Sequence, residues 1–285
     1  MKHETEPSIP AAPAANPNQA LWEKGDFTAI ASFMRESGDA LVESLGVRPP
    51  LHVLDLGCGD GTTALPLALR GAQVRGVDIA RNLVAAGRRR AAAADLADRL
   101  GFEYGDACCL AQLPDQTFDL TLSIFGAMFA PRPLDVAREM VRVTKRGGRI
   151  VMGNWIPNDT DSFVSQLLRI SSAYTPPPPA GFVSPMGWGD ERLVADRFAA
   201  AGVPREQIAF HRDRFTFHCP GDVGHFVDAF RRFYGPTMNA YAAAEKDGRA
   251  EELHRELLAL AASQARQTGS GIAVSATFLR VIVDC

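Results

Sequence analysis

The chain has 285 residues, of which 46% are apolar and 22% are charged, and its formal net charge is -3 at pH 7. A chain of this length and apolar content can bury a large core. Its nearly neutral charge offers no strongly basic surface that would hold nucleic acid by its phosphates. No apolar run reaches the roughly 18–20 residues that a membrane-spanning helix needs. We therefore expect a globular protein with neither a membrane span nor a nucleic-acid partner.

Residues 1–20 are polar and rich in alanine and proline, and they lack the apolar centre of a signal peptide. We predict a disordered leader there and a cytoplasmic location for the protein. The five cysteines show no paired spacing, so we expect free thiols and no metal site. Cys108 and Cys109 are adjacent and could bind a soft metal, but their apolar neighbours favour burial.

Hydrophobic periodicity and turn residues predict an alternation of helices and strands. Strands are predicted over 51–56, 73–77, 102–104, 118–124 and 149–154, and helices over 21–45, 62–70, the alanine-rich segment ending at Leu100, and 134–144. The later part of the chain predicts an extended loop at Pro176–Pro179, helices over 190–200 (capped by Asp190), 223–234 and 251–266, and strands over 207–218 and 278–283. Strands that alternate with helices indicate a parallel sheet with helices on both faces. Such sheets bind ligands at the carboxyl ends of their strands.

The strongest motif is a strand, a glycine-rich turn and a helix, with the sequence Val53-Leu54-Asp55-Leu56-Gly57-Cys58-Gly59-Asp60-Gly61-Thr62. Glycines let the backbone adopt positive φ and approach a ligand closely. The dinucleotide fingerprint requires a further glycine where Thr62 stands. Asp55 would repel a pyrophosphate but suits a ligand that carries an ammonium group. S-adenosylmethionine has an ammonium group and no phosphate, so it fits this turn better than a dinucleotide does.

Two further aspartates follow predicted strands. Asp78, in Gly76-Val77-Asp78-Ile79, lies about twenty residues after the glycine-rich turn, where a carboxylate can accept both hydroxyls of a ribose. Asp106, in Tyr104-Gly105-Asp106-Ala107, could accept an adenine amino group while the Ala107 N–H faces a ring nitrogen. The alternatives are a helix cap for Asp78 and an ordinary Gly-Asp turn for Asp106.

Together these motifs resemble the class I S-adenosylmethionine-dependent methyltransferases over about residues 51–154. The resemblance implies that Gly57 and Gly59 line the methionine portion of the cofactor, that Asp78 with Ile79 holds the ribose, and that Asp106 with Ala107 holds the adenine. It also implies that the segment Ser123–Pro131, with Phe125, passes between cofactor and substrate. The implied fold is an α/β, Rossmann-like doubly wound sheet, mostly parallel with an antiparallel C-terminal strand, plus a helical cap or insertion.

Within that class the chain looks most similar to the ubiquinone/menaquinone-biosynthesis-like small-molecule methyltransferases. The segment from Trp22 to Phe27 resembles their N-terminal segment, which folds over the cofactor. We expect one methyltransferase domain over residues 21–285, with a cofactor-binding core at 51–154 and a substrate lid from 21–45 and 158–271. The helical insertion from Cys219 to Gly271 departs from that group, so the resemblance does not imply that the substrate is a quinone.

The expected reaction is transfer of the cofactor's methyl group to an oxygen, nitrogen or carbon atom of a small, apolar or aromatic molecule. A general base is needed only where the nucleophile must lose a proton. The histidines at 211, 218 and 225 are candidates, but their positions favour solvent exposure or a remote strand, so the catalytic residue stays unassigned. The aromatic and apolar residues proposed for the substrate pocket are Phe27, Met128, Phe129, Trp155, Trp188 and Tyr234, and plain core packing is their alternative role. Two other functions stay open: a cofactor-binding relative without methyl transfer, and an NAD-dependent oxidoreductase.

Overall fold

The computed structural model describes residue 16 and residues 18–285. Residues 1–15 and 17 of the predicted disordered leader therefore lie outside the described residues. Residues 18–20 are described, and the first helix begins at Gln19. Eight strands form one sheet: β1 (His52–Leu56), β2 (Gln73–Asp78), β3 (Leu100–Tyr104), β4 (Phe118–Ile124), β5 (Thr144–Trp155), β6 (Ile208–Cys219), β7 (Ala265–Thr268) and β8 (Gly271–Asp284). The α-helices are α1 (Gln19–Glu23), α2 (Thr28–Ser44), α3 (Ala64–Leu69), α4 (Arg81–Ala93), α5 (Pro133–Val143), α6 (Phe163–Ser172), α7 (Glu191–Ala200), α8 (Val223–Phe233), α9 (Gly235–Lys246) and α10 (Ala250–Gln264).

The strand order is β3-β2-β1-β4-β5-β8-β6, and β7 pairs with β8 outside this path. The first five strands pair in parallel, whereas β8 runs antiparallel to both of its neighbours, β5 and β6. This arrangement confirms the predicted mostly parallel, Rossmann-like sheet with an antiparallel C-terminal strand. It places the carboxyl ends of β1, β2, β3 and β4 along one edge, where parallel sheets bind ligands.

The central strands are buried because helices cover the sheet. In β1, all residues after His52 are buried, and in β4 five of the seven are buried. Near-continuous apolar runs of this kind are typical of parallel strands that are covered on both faces. The insertion before β8 is helical, as predicted, since α8, α9 and α10 pack on one another and α10 also packs on α6. No helix in the described part of the chain is long and apolar enough to cross a membrane.

Several boundaries differ from the sequence prediction. The helix expected over 21–45 is divided into α1 and α2, and in the break between them the Asp26 side chain accepts the N–H of Thr28, the first residue of α2. Gly25 lies in the break, where a Cβ would come within 2.7 Å of the carbonyl oxygen of Phe233. The helix α4 ends at Ala93, well before Leu100, which instead begins β3. The predicted cap of α7 is confirmed: the Asp190 carboxylate accepts the N–H groups of Arg192 and Leu193.

Pairing with β6 decides the length of β8. The sequence predicts a strand only over 278–283, but every residue of β6 has a partner in β8, from Ile208–Val283 to Cys219–Ile272. The sequence also predicts a helix through Arg266, whereas that residue belongs to β7 and pairs with Ala273 of β8. The helix α6 was not predicted. These differences share one cause, because non-local pairing and packing override the local pattern.

Candidate active site

The glycine-rich turn after β1 has the backbone conformation that its sequence predicts. Gly57, Gly59 and Gly61 have φ values of +70°, +55° and +90°. A Cβ at Gly57 would come within 2.6 Å of the Gly126 Cα, so two turns touch there through their backbones. A Cβ at Gly59 would meet no atom within 4 Å. Gly57 is therefore required by packing, while Gly59 combines a left-handed conformation with open space beside it.

Asp78 connects this turn to the end of β2. One carboxylate oxygen accepts the N–H of Gly59 at 2.8 Å, and the other accepts the N–H of Ala80 at 2.8 Å. Burial raises the pKa of Asp78, and these backbone N–H groups oppose that shift. The bond to Ala80 is a local turn contact and not a helix cap, because Ala80 is the N-cap of α4 and no side chain caps that helix; the alternative role for Asp78 is therefore wrong.

One cavity joins the glycine-rich turn to the aromatic side chains of the rest of the chain. Of the residues proposed from the sequence, the structure brings eleven into its wall: Trp22, Phe27, Gly57, Gly59, Asp78, Ile79, Ala107, Phe125, Phe129, Trp155 and Tyr234. The cavity lies at the carboxyl edge of the sheet, as the topology requires.

Asp55 is not in the cavity wall; the neighbouring wall residue is Thr63. Asp55 is buried, and its carboxylate accepts the Thr63 hydroxyl at 2.6 Å. Burial raises the pKa of Asp55 to about 7, with a further contribution from the charge of Asp78, while the hydrogen bond from Thr63 opposes the shift. Asp55 can therefore act on a ligand through Thr63 or through its charge, rather than by direct contact.

Asp106 also lies behind the wall. Its carboxylate accepts the N–H of Cys108 at 2.8 Å and the side-chain amide of Asn16 at 3.2 Å. The wall at the end of β3 is formed instead by Gly105 and Ala107. In the described conformation, the turn role that was the alternative for Asp106 accounts for its contacts.

Met128 and Trp188 are corrections to the proposed pocket, because neither lines the cavity. Met128 is 1% exposed and points into the core from the short 3₁₀ turn over 127–129. Trp188 is fully buried, with its ring 6.1 Å from that of Phe198 and the Arg197 guanidinium 4.6 Å from its centroid. For these two side chains, core packing was the right interpretation.

Asp60 is a wall residue that the sequence analysis did not select. It is 1% exposed, and its carboxylate lies 2.8 Å from an Nη atom of Arg35 in α2 and 3.3 Å from one of Arg90 in α4. A Cβ on Gly38 of the same α2 would come within 2.6 Å of the Thr62 side chain. The glycine-rich turn is thus held between α2 and α4. The sequence signal that could have identified Asp60 as a wall residue is its position between two glycines.

Phe125 directly follows β4 and has a backbone conformation that is rare for an aromatic residue, with φ at +57°. Its ring stacks on that of Trp155 in β5, with centroids 3.7 Å apart and planes 6° apart. Strained conformations of this kind persist only where the surroundings enforce them, and they concentrate at functional sites. Both rings line the cavity beside the glycine-rich turn.

The other side of the cavity is closed by aromatic residues from α1, the residues before α2, and α8. The Trp22 ring lies 4.8 Å from Phe129, 5.8 Å from Phe27 and 5.9 Å from Tyr234. Ring contacts continue from Tyr234 through Phe230 and Phe217 to Trp155, at centroid distances of 5.4, 5.8 and 6.5 Å. We call the part of the cavity bounded by these rings the aromatic chamber; its wall contains Phe27, Phe125, Phe129, Trp155, Phe215, Phe217, Phe230 and Tyr234.

Sequence reasoning missed Phe215 and Phe217 as wall residues. Both are buried in β6 with Thr216 between them, so they share one face of the strand. That alternation was a usable signal, but it could not show which face met the cavity. The histidines at 211, 218 and 225 are absent from the wall. Residues 16 and 18–285 contain no cluster of three or more His, Cys, Asp or Glu side chains suited to a metal ion.

Comparisons with known proteins agree with this architecture. Residues 54–152 match the family model described as a methyltransferase domain. An uncharacterized protein of Mycobacterium tuberculosis is 36% identical over 258 residues, which cover 87% of this chain and 90% of that protein. The 27-O-demethylrifamycin SV methyltransferase of Amycolatopsis mediterranei is 34% identical over 142 residues, which cover 50% of this chain and 52% of that enzyme.

Among solved structures, the YcgJ protein from Bacillus subtilis superposes with a TM-score of 0.53 at 19% identity, and the match covers 87% of this chain and 96% of that one. At this identity the likeness supports the fold alone. The narrower similarity to ubiquinone-type enzymes is not confirmed by these comparisons. The matched methyltransferase domain, the full-length relative and the fold agree, and the chain belongs to the class I S-adenosylmethionine-dependent methyltransferases, with S-adenosylmethionine as its cofactor.

Proposed function

We propose that this enzyme methylates an oxygen, nitrogen or carbon atom of a small, largely apolar or aromatic molecule held in the aromatic chamber. The observation that carries the proposal is the continuity of one cavity. Its wall runs from Gly59 and Asp78 to Trp155, Phe217 and Tyr234. A methyl donor at the glycine-rich turn and an acceptor among the aromatic rings would therefore share one enclosed space.

The residues at the glycine-rich turn fit S-adenosylmethionine. The open space beside Gly59 admits a ligand close to the backbone, and the Asp78 carboxylate can accept ribose hydroxyls with the lone pairs that its two backbone bonds leave free. Ile79 and Ala107 offer apolar surface for the adenine. When bound, the cofactor supplies an electrophilic methyl group on its sulfonium. The charge of Asp55, behind Thr63, would favour the ammonium group of the methionine portion.

The chain's own contribution to the reaction is alignment and the exclusion of water. A methyl group that is transferred in line needs its acceptor held close and correctly oriented. The stacked rings of Phe125 and Trp155 lie beside the glycine-rich turn. The ring of Trp22 contacts that of Phe129 and closes another part of the cavity wall. We assign the substrate lid to the two segments that carry the closing rings, 21–45 and 158–271, although Trp188 of the second segment has no part in it.

The chemistry of the wall supports an apolar substrate. Among the described residues, the only titratable side chains that line the cavity are Cys58, Asp60, Asp78 and Tyr234. The first three belong to the turn and to the end of β2, so among the described residues of the aromatic chamber Tyr234 carries the one hydroxyl and Trp155 an indole N–H. Apolar pockets with few polar groups select ligands of matching character.

The named relative supports a small-molecule acceptor. Its name, 27-O-demethylrifamycin SV methyltransferase, describes methylation of a small compound at oxygen, and its similarity spans half of this chain. We extend to this protein only the small size of the acceptor.

The test is to follow a labelled methyl group. The purified enzyme is incubated with S-adenosylmethionine carrying an isotopic methyl label and with a cell extract divided into small molecules, nucleic acid and protein. We expect the label in organic-soluble small molecules, and we expect its loss with the Asp78→Ala variant. Label that enters only nucleic acid or protein would contradict the proposal.

A further inference from the structure

Tyr234 brings a hydroxyl group to the aromatic chamber. It follows α8, is 5% exposed, and its ring contacts those of Trp22, Phe27 and Phe230 at 5.9, 6.2 and 5.4 Å. We propose that the Tyr234 hydroxyl orients the substrate by donating a hydrogen bond to an oxygen atom of an otherwise apolar acceptor molecule. This inference rests on the proposed function and adds a specificity-determining residue to it.

The first argument is that the Tyr234 hydroxyl lacks a partner. The protein has four tyrosines. The hydroxyl of Tyr104 bonds to Gln19 at 3.1 Å, that of Tyr174 to Glu256 at 2.5 Å, and that of Tyr241 to the His254 ring at 2.8 Å. Within residues 16 and 18–285, the Tyr234 hydroxyl makes no hydrogen bond, and burial alone raises its pKa. Buried tyrosine hydroxyls usually find a partner, so a ligand in the cavity is the natural candidate.

The second argument concerns which way the hydrogen bond runs. A raised pKa keeps the Tyr234 hydroxyl protonated at neutral pH, so the side chain is a donor and a poor base. It therefore requires an acceptor atom from the ligand, such as a carbonyl, ether or hydroxyl oxygen. The ring neighbours that the described residues give Tyr234 are Trp22, Phe27 and Phe230, and these aromatic surfaces favour a ligand that is apolar or aromatic at this point.

The third argument separates the substrate from the cofactor. The proposed cofactor residues Gly59, Asp78 and Ala107 follow β1, β2 and β3, on one side of the sheet. Tyr234 is joined through Phe230 to Phe217 in β6, which lies four strand positions from β1. At a spacing of about 4.8 Å per strand, that is on the order of 19 Å. Tyr234 joins this far end of the chamber to Trp22, which its ring contacts at 5.9 Å, and an unchanged affinity of Tyr234→Phe for S-adenosylhomocysteine would assign the hydroxyl to the substrate.

The experiment compares two probes that differ by one hydroxyl, 1-naphthol and naphthalene, by titration into protein saturated with S-adenosylhomocysteine. We expect Tyr234→Phe to weaken 1-naphthol binding by roughly three- to tenfold, the usual effect of one hydrogen bond. Naphthalene and S-adenosylhomocysteine should bind this variant as tightly as the unchanged protein. Tyr241→Phe is the matched control, since it removes a bonded hydroxyl outside the cavity wall and should change none of the three affinities.

The outcomes separate this inference from the proposed function. If both probes bind the unchanged protein and Tyr234→Phe binds 1-naphthol equally well, the role of Tyr234 is refuted while the apolar chamber stands. If Tyr234→Phe instead loses affinity for S-adenosylhomocysteine, the hydroxyl serves the cofactor and the inference is wrong. If neither probe binds the cofactor-saturated protein, the apolar chamber fails as a substrate site and the inference fails with it. Thermal unfolding of both variants verifies that each is folded.

Discussion

Replacing Asp78 by alanine should weaken the binding of S-adenosylhomocysteine by at least about tenfold. The residue lies in the cavity wall at the end of β2, and we propose that its carboxylate accepts ribose hydroxyls. A hydrogen bond to a charged group contributes about 1.5–3 kcal/mol, and about 1.4 kcal/mol corresponds to a tenfold change in affinity. Loss of even one of the two ribose bonds would therefore reach the tenfold limit.

The structure adds a second consequence. Asp78→Ala also removes the acceptors of the Gly59 and Ala80 N–H groups, so the glycine-rich turn loses one of its hydrogen bonds to β2 and keeps those from Gly57 and Cys58 to the Val77 carbonyl. This change should lower the free energy of unfolding, and part of any loss of affinity could come from a displaced turn. Asp78→Asn separates the two effects, because an amide keeps the shape of the side chain and one neutral acceptor. We expect it to bind with intermediate affinity.

The assay is calorimetric titration with S-adenosylhomocysteine, together with urea unfolding of each variant. Asp190→Ala is the matched control, because the Asp190 carboxylate also accepts two backbone N–H groups, both at 3.0 Å, yet it is absent from the cavity wall. Loss of that cap should cost about 0.5–2 kcal/mol of stability and leave cofactor affinity unchanged. A folded Asp78→Ala protein that binds S-adenosylhomocysteine normally would refute the ribose assignment.

Three further predictions concern the same cavity. Because the pKa of Asp55 is raised to about 7, its contribution to stability is present at pH 4 and lost as the pH rises to 7; urea unfolding of Asp55→Asn should show a flatter pH dependence over this range. The positive φ of Phe125 predicts that the free energy of unfolding, measured in urea, is about 1 kcal/mol higher for Phe125→Gly than for Phe125→Ala, although alanine is ordinarily the more stable choice. The reverse order would argue against a strained backbone there. Of the three tryptophans, Trp155 and Trp188 are buried and Trp22 is partly exposed, so S-adenosylhomocysteine should protect tryptophan fluorescence from acrylamide; Trp22→Phe should abolish that protection. A protection that persists in Trp22→Phe would mean that the cofactor does not lie beneath Trp22.

The sequence by itself determined the sheet and the cofactor side of the cavity. Each of these signals is local: an apolar strand, the turn that follows it, and a side chain one or two residues further on. Gly59 and Asp78 could be found because parallel strands bring their carboxyl ends to one edge, so the motif positions along the chain also give positions in space. Local signals predict less reliably which side chains reach the cavity wall and can contact a ligand. Asp55 and Asp106 lie one layer behind the wall, where Thr63 and Ala107 stand instead.

Only the tertiary structure decided the aromatic chamber. Its rings come from the residue before α2, the segment after β4, β5, β6, and α8 with the residue after it, and contacts between residues so distant in sequence depend on how the elements pack. Trp155 and Trp188 look alike as buried aromatics in the sequence, yet one lines the cavity and the other packs on Phe198. Only the folded structure shows that residues 16 and 18–285 supply no hydrogen-bond partner to the Tyr234 hydroxyl. Burial and pairing are properties of the folded environment, and a single sequence specifies which residues are apolar without specifying what they will face.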